Sequence, residues 1–453
     1  MRIALNIPLT LKEIAQAAGS PLLAASDATV SHVATNSKEV AAGDLFIALK
    51  GERTDGADFI PEAKARGGFI LSERYTDTNI SVSDTEEALL NIVRLYKSKL
   101  TSLKKTIAVT GSVGKTTTKN ILREILASKY KVHATNKNFN NALGLFLTVI
   151  TAPADTEILV LEMGMNHIGE IALLSQAATP DLAIITNIGN AHVGNLGSRE
   201  MIAKAKLEVI LGMRDKKLIV PYDEPLLNRN ENFYTVSTKS DAADLFVRIN
   251  GMDQFGSNLS VYSNGARLFD AHTAIPGEHI ASALSFATLA AILSGVDIGS
   301  IKSSISALDP STARARLIDV GGYKIYDDTY SSSPEAVIAN FELLSLYCTL
   351  QRSCVLGDML ELGARTEELH RKIGEAVYKY GFRRLYALGV YSPFIARGAM
   401  EAGMPREHIF VNTDITAPEI TAKEILENAN REEIILVKAS HALHAERIYE
   451  FLK

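Results

Sequence analysis

The sequence predicts an α/β protein of three domains: a small α/β N-terminal domain, a central P-loop domain with a mostly parallel sheet, and a Rossmann-like C-terminal domain. Three observations predict it. The chain has 453 residues, more than one core holds, and about three domains is the expectation for that length. Strand-like and helix-like runs alternate from residue 105 onward, as in parallel sheets covered on both faces. A β-branched run, Thr106 to Thr110, enters a glycine turn that opens straight into a helix-compatible stretch.

The elements follow in order. Residues 1–104 mix short apolar runs and turns: Gly43-Asp44 precedes a strand-like Leu45–Leu49, a polar loop spans Gly51–Gly56, and a helix-like Thr85–Leu100 closes the segment. Residues 105–310 carry strand patterns at Ile107–Thr110, Lys131–Ala134, Glu157–Glu162, Leu182–Asn187 and Lys217–Val220. Between them lie helix patterns at Thr116–Ser128, Ile168–Ala177 and Arg199–Met213. Residues 235–275 read as short strands, and Ala281–Leu293 as a helix. Leu308-Asp309-Pro310 reads as a linker to residues 311–453. There the alternation resumes with strand 324–327, helix 334–346, strand 353–356, helix 367–378 and strand 384–388, closing on strand 434–437 and a terminal helix. No G-x-G-x-x-G accompanies that last set, so a dinucleotide is not indicated.

Composition excludes several classes. A net charge of −5 gives no basic field to attract nucleic acid, so anionic substrates must be held by local donors. The most apolar helix pattern, Ala281–Val296, is too short and too rich in Ser and Thr to span a bilayer. No signal-peptide core precedes Lys12 and Glu13. Cys348 and Cys354 read as small buried residues of a reducing compartment rather than a bridge or a zinc pair. The expected location is the cytoplasm.

The glycine turn carries the chemistry. In Gly111-Ser112-Val113-Gly114-Lys115-Thr116-Thr117 the glycines let backbone N–H groups close on phosphate oxygens, and the helix start adds positive potential. Lys115 can reach the β- and γ-phosphates and the Thr116 hydroxyl can hold Mg²⁺. The strict G-x4-G-K-[ST] pattern would need glycine at Val109, so the loop is a shortened variant. A Gly-rich turn with a surface lysine is the bland alternative, and the order of strand, glycines, lysine and hydroxyl argues against it.

Other candidates gather where strands end. Glu162 closes an apolar run and could bind Mg²⁺ beside Thr116, although a lone strand-end Glu is commonly a surface residue. His192 sits in a loop after a buried run, where a structural and a ligand role are equally open. Lys204, Lys206 and Glu208 share one helix pattern, and such spacing usually marks a solvated face. Asn136, Asn138, Asn140 and Asn141 form either a turn-rich loop or a grip on a polyhydroxyl ligand. Asp327-Asp328-Thr329-Tyr330-Ser331-Ser332-Ser333-Pro334 ends a strand and starts a helix. An N-cap explains Ser333 and Pro334 but not the paired aspartates or Tyr330.

Taken together these pieces resemble the Mur ligase family of ATP-dependent amide-bond-forming enzymes. TGSVGKTTTK is similar to the family's TGxxGKTT loop, TNKNFNNALG to its TxxNxNNxxG segment, EMGMNHIGEI to its EMG strand end and TNIGNAH to its TNIGxAH loop. Asn36 through Gly56 resembles the domain that holds a UDP-muramoyl substrate. The order of pieces and the late VLGDMLELG, Val355–Gly363, look most like the members that add D-alanyl-D-alanine to UDP-N-acetylmuramoyl-tripeptide.

The resemblance implies roles. Lys115 would neutralise the phosphates of ATP. Thr116 and Glu162 would hold a first Mg²⁺, and His192 would help hold a second. Lys206 falls where the family carries a carbamylated lysine, an anionic oxygen ligand. Asp328 and Tyr330 match a DxY near nucleotide and amine, His279 and Arg314 match nucleotide contacts (Arg316 is a near alternative), and Ser37, Asn138, Asn140 and Asn141 fall on the substrate side. A monomer is implied, with no nucleic acid and no membrane insertion. Departures are equally plain: Asn36-Ser37-Lys38 stands for DSR, Asp55-Gly56-Ala57-Asp58-Phe59 for DGHxF, Ile280 and Ala283 for two asparagines, Tyr330-Ser331-Ser332-Ser333-Pro334 for YNANP, and Lys438-Ala439-Ser440-His441 for KGSR.

Overall fold

The computed structural model describes residues 1–20, 27–51, 54–75, 79–136, 138–227, 232–312, 315–347 and 350–453. It has the three-domain α/β organisation expected from the sequence. Its chain forms two compact units interleaved in sequence: Met1–Thr110, Lys129–Ile184 and Ala205–Leu218 in the first, Gly111–Ser128, Ile185–Lys204 and Ile219–Lys453 in the second.

In the first unit, β1 (Arg2–Thr10) pairs antiparallel with β2 (Thr29–Ala34), and β3 (Leu45–Ile47), β4 (Phe69–Ser72) and β5 (Asn79–Ser81) continue in parallel. The Gly43-Asp44 turn is pinned by charge. Asp44, almost wholly buried, accepts from Arg2 Nε at 2.7 Å and from the Ala41 N–H at 2.8 Å. Burial alone would raise its carboxyl, and these donors from Arg2 and Ala41 pull it below the usual range instead. Helix Thr85–Lys99 starts on the Asp84 cap and buries Ala88, Leu89, Ile92, Val93 and Tyr96 at helical spacing.

The same unit holds β6 (Lys105–Thr110), β7 (Val132–Ala134), β8 (Ile158–Glu162) and β9 (Leu182–Ile185), with β8 between β6 and β7 and β9 on the far side of β6. The pairings of β8 are parallel. Each of β8 and β9 is buried along its whole length, the continuous apolar run of a strand covered on both faces. The expected helix Arg199–Met213 breaks: it is α-helical over Arg199–Leu207 and becomes a 3-10 turn over Glu208–Gly212. Glu208 is drawn to another helix start, accepting the Gly169 N–H at 2.9 Å and the Ala172 N–H at 3.4 Å.

In the second unit, helix Lys115–Ala127 packs against helix Glu278–Leu293. Strands β10 (Leu218–Pro221), β11 (Phe233–Ser237), β12 (Leu245–Asp253), β13 (Gly256–Ser263) and β14 (Ala266–Thr273) follow in sequence order, the last three as antiparallel hairpins. The C-terminal sheet orders β15 (Arg316–Val320), β16 (Tyr323–Asp328), β17 (Arg352–Gly357), β18 (Arg384–Leu388), β19 (Ile409–Asn412) and β20 (Ile434–Lys438) as β15-β16-β20-β17-β18-β19. All its pairings are parallel except the β15–β16 hairpin, so it is Rossmann-like with one antiparallel edge. The expected terminal helix is instead two 3-10 segments, His441–Leu443 and Ala445–Glu450, parted by His444 in a left-handed conformation. Among the described residues no helix is long and apolar enough to cross a membrane. Cys354 is fully buried, while Cys348 lies outside the described residues.

Candidate active site

In an open α/β sheet ligands bind outside the carboxyl ends of the strands, and the phosphate loop leaves that end of β6. Gly114, left-handed at φ 84°, is the N-cap of helix Lys115–Ala127. A glycine cap has no side chain to occupy the helix's first N–H groups, which suits that terminus to an anion. Gly111 has φ 140°, and a Cβ there would stand 1.9 Å from Thr186 Oγ1. Only glycine fits. Lys115 Nζ donates to the Gly111 and Ser112 carbonyls at 2.8 and 3.3 Å.

The loop after β9 braces this turn. Asn187 Oδ1 accepts the Ser112 and Val113 N–H groups at 3.0 and 2.8 Å, and Thr186 Oγ1 donates to the Val113 carbonyl at 2.6 Å. Sequence reasoning gave Asn187 and Thr186 no role, although both stand in the TNIGNAH run; only the fold shows that they reach back across 73 to 75 residues. His192 follows in the same loop, left-handed at φ 66°. Its Nδ1 lies against a Glu361 carboxylate oxygen.

Further along the second unit, Asp328 ends β16 and Lys438 ends β20. Lys438 Nζ, 1% exposed, donates to Asp328 Oδ2 at 2.5 Å and to the Ser331 carbonyl at 2.7 Å. Asn340 Nδ2 donates to the same aspartate oxygen at 2.8 Å. The His279 imidazole is half-buried, and burial pushes it down to about 4, with Asp328 opposing and Lys438 adding to the shift. The Tyr330 and His441 rings meet at a tilt of 52° with centroids 5.4 Å apart. Arg314 lies outside the described residues, and Arg316 on β15 faces Asp327 at 3.8 Å.

In the first unit, Glu162 ends β8. Its backbone N–H donates to Thr135 Oγ1 at 2.9 Å, and its Oε1 accepts Asn140 Nδ2 at 3.0 Å. The asparagine cluster divides its labour. Asn140 orients Glu162, Asn141 caps helix Ala142–Ile150 by accepting the Gly144 N–H, and Asn138 is exposed. Lys206 is 2% exposed while Lys204 is exposed, so the solvated-face reading holds for one lysine and fails for the other. Two residues apart on a helix they point to different faces. Ser37 is buried, its hydroxyl donating to Glu62 Oε2 at 2.6 Å.

Models of three Mur ligase domains match successive parts of the chain: the family's catalytic domain over residues 29–97, its middle domain over 109–291 and its glutamate ligase domain over 313–441. The UDP-N-acetylmuramoyl-tripeptide–D-alanyl-D-alanine ligase of Bacillus subtilis is 36% identical over 98% of this chain and 98% of its own. The chain belongs to the Mur ligase family. The ligase of the same name from Escherichia coli is 29% identical over 99% of both chains. Among solved structures, MurF from Acinetobacter baumannii superposes with a TM-score of 0.86 at 25% identity, covering 99% of this chain and 100% of that one. MurF from Thermotoga maritima, solved in complex with ADP, gives 0.79 at 29% identity over 93% and 96%. The likeness to these Mur ligases runs from end to end, through all three domains.

Proposed function

We propose that this Mur ligase uses ATP to join D-alanyl-D-alanine to UDP-N-acetylmuramoyl-tripeptide, an amide-forming step of peptidoglycan precursor synthesis in the cytoplasm, and that it acts as a monomer. The observation that carries the reading is the 36% identity to a ligase of that name across 98% of both chains. Residues 1–104 are assigned to the UDP-muramoyl substrate, 105–310 to ATP and 311–453 to closing the site.

The tripeptide carboxylate attacks the γ-phosphorus of ATP, releasing ADP and leaving an acyl phosphate. The dipeptide amine then attacks the acyl carbon, inorganic phosphate departs, and the amine sheds its proton. The N–H groups of Gly114 to Thr117 and the Lys115 ammonium are assigned to the triphosphate, where preorganised donors stabilise charge spreading over the transferred group. His279 and Asp328 are assigned to the nucleoside side, and Tyr330, Asn138 and Asn140 to substrate. Water must be kept out, because an acyl phosphate hydrolyses.

Thr116 and Glu162 are assigned to a first Mg²⁺, and His192 and a carbamylated Lys206 to a second. The residues suit these ions: Asn140 fixes one Glu162 oxygen, and Lys206 is buried. No group of three His, Cys, Asp or Glu side chains that could hold a metal ion occurs among the described residues, and the Thr116 hydroxyl and the Lys206 carbamate are the oxygen donors assigned beside Glu162 and His192. Bound Mg²⁺ supplies charge neutralisation at the phosphates.

The test is ADP release with UDP-N-acetylmuramoyl-tripeptide, scanned over D-alanyl-D-alanine, single amino acids and no amine. Release with the dipeptide alone supports the reading. Release with a single amino acid points to a sibling ligase, and release with neither substrate to an uncoupled ATPase.

A further inference from the structure

Asn190, in the loop after β9, has both ends of its side chain occupied. Its backbone N–H and Nδ2 donate to Glu335 Oε1 at 3.0 and 2.6 Å, and Arg365 Nη1 donates to its Oδ1 at 2.8 Å. A carboxylate only accepts and a guanidinium only donates, so the amide orientation is fixed by chemistry. Glu335 lies in the first turn of helix Pro334–Leu344, and Arg365 directly precedes helix Thr366–Lys379. The clasp continues along the loop. Glu361 meets His192, and the Gly194 N–H donates to the Glu361 carbonyl at 2.8 Å. There the backbones run so close that a Cβ on Gly194 would stand 2.5 Å from the Gly363 nitrogen.

The other side of the same loop holds the phosphate turn. Gly189 N–H donates to Ser112 Oγ at 3.0 Å, and a Cβ on Gly189 would crowd both Ser112 and the Glu335 carboxyl at 3.2 and 3.3 Å. Glu335 Oε2 is buried and meets no donor among the described residues. A buried, half-satisfied carboxylate weakens a fold unless its position serves something else.

We propose that Glu335 and Arg365 are positioning residues that act through Asn190 to hold the Gly189–Ser112 contact, so that the phosphate turn takes its working shape only while these two side chains grip Asn190. This rests on the ligase reading above and adds to it: residues after 311 set the geometry of the phosphate loop as well as closing the site.

The experiment measures kcat and KM for ATP in ADP release with both substrates, alongside thermal unfolding. Glu335→Ala lowers kcat/KM for ATP at least tenfold with little change in melting temperature, and Glu335→Gln, which keeps an accepting oxygen for both Asn190 donors, retains most activity. Asn190→Asp, which sets two carboxylates against each other, loses more than Glu335→Ala. Adding Glu335→Gln to it restores a donor–acceptor pair and recovers at least part of the loss. Additive losses in the double variant, or a Glu335→Ala enzyme as active as wild type, overturn the clasp. Wild-type protein with no substrate-dependent ADP release would instead sink the ligase reading, so the two failures are separable.

Discussion

Alanine at position 111 tests the phosphate turn most sharply. At φ 140° a side chain there costs about 1–3 kcal/mol of backbone strain. The added Cβ would also overlap Thr186 Oγ1 at 1.9 Å. Rotating that hydroxyl away breaks its 2.6 Å bond to the Val113 carbonyl, worth about 0.5–1.5 kcal/mol. Together these give about 2–4 kcal/mol, or roughly 30- to 1,000-fold weaker nucleotide binding at about 1.4 kcal/mol per tenfold. Calorimetric titration of Gly111→Ala with ADP reads this directly. Thr186→Ala alone should cost about fivefold, the hydrogen bond only. The double variant should bind about as Gly111→Ala does, because the hydroxyl bond is already broken there and the backbone strain remains. A Gly111→Ala protein within threefold of wild type would refute the account of the turn. So would a double variant that is simply the product of the two singles.

Three further outcomes are expected. Asn141→Ala loses a helix cap and about 1 kcal/mol of stability by urea titration, with ADP release unchanged; a loss of turnover at full stability would make Asn141 a ligand group instead. His279 is held neutral down to about 4, whereas an unfolded histidine titrates near 6.5, so the unfolded chain binds the extra proton between those values. The His279 contribution to stability therefore falls as pH drops from about 6.5 to about 4, by about 3 kcal/mol, and is constant below; urea midpoints of Asn-substituted His279 protein should show a flatter profile over that range, and an unchanged profile counts against it. Lys206→Ala loses at least the roughly 10- to 100-fold that removing a metal's supporting group costs, with partial recovery by added acetate or formate. Wild-type turnover without added carboxylate would dismiss the carbamate.

Much of the fold was legible because its signals are local. β6, β8 and β9 are apolar runs ended by polar punctuation, and the phosphate loop is a fixed spacing of glycine, lysine and hydroxyl. What was not legible depends on distant partners. Glu208 leaves its helix to cap another, and nothing within Arg199–Met213 signals that. Spacing alone could not separate buried Lys206 from exposed Lys204. Asn187 reads as one more loop amide until its 3.0 Å contact with the Ser112 N–H is seen. Short edge strands such as β15 and β19 carry too few residues for a period to declare itself.

The claim at the centre is activation of a carboxylate by phosphoryl transfer, and oxygen tracing tests it most directly. UDP-N-acetylmuramoyl-tripeptide labelled with ¹⁸O in its terminal carboxylate is turned over with ATP and D-alanyl-D-alanine, and the released phosphate is weighed by mass spectrometry. An acyl phosphate route places one labelled oxygen in each phosphate and leaves the other in the new amide carbonyl. Unlabelled phosphate formed alongside the ligated product would contradict it.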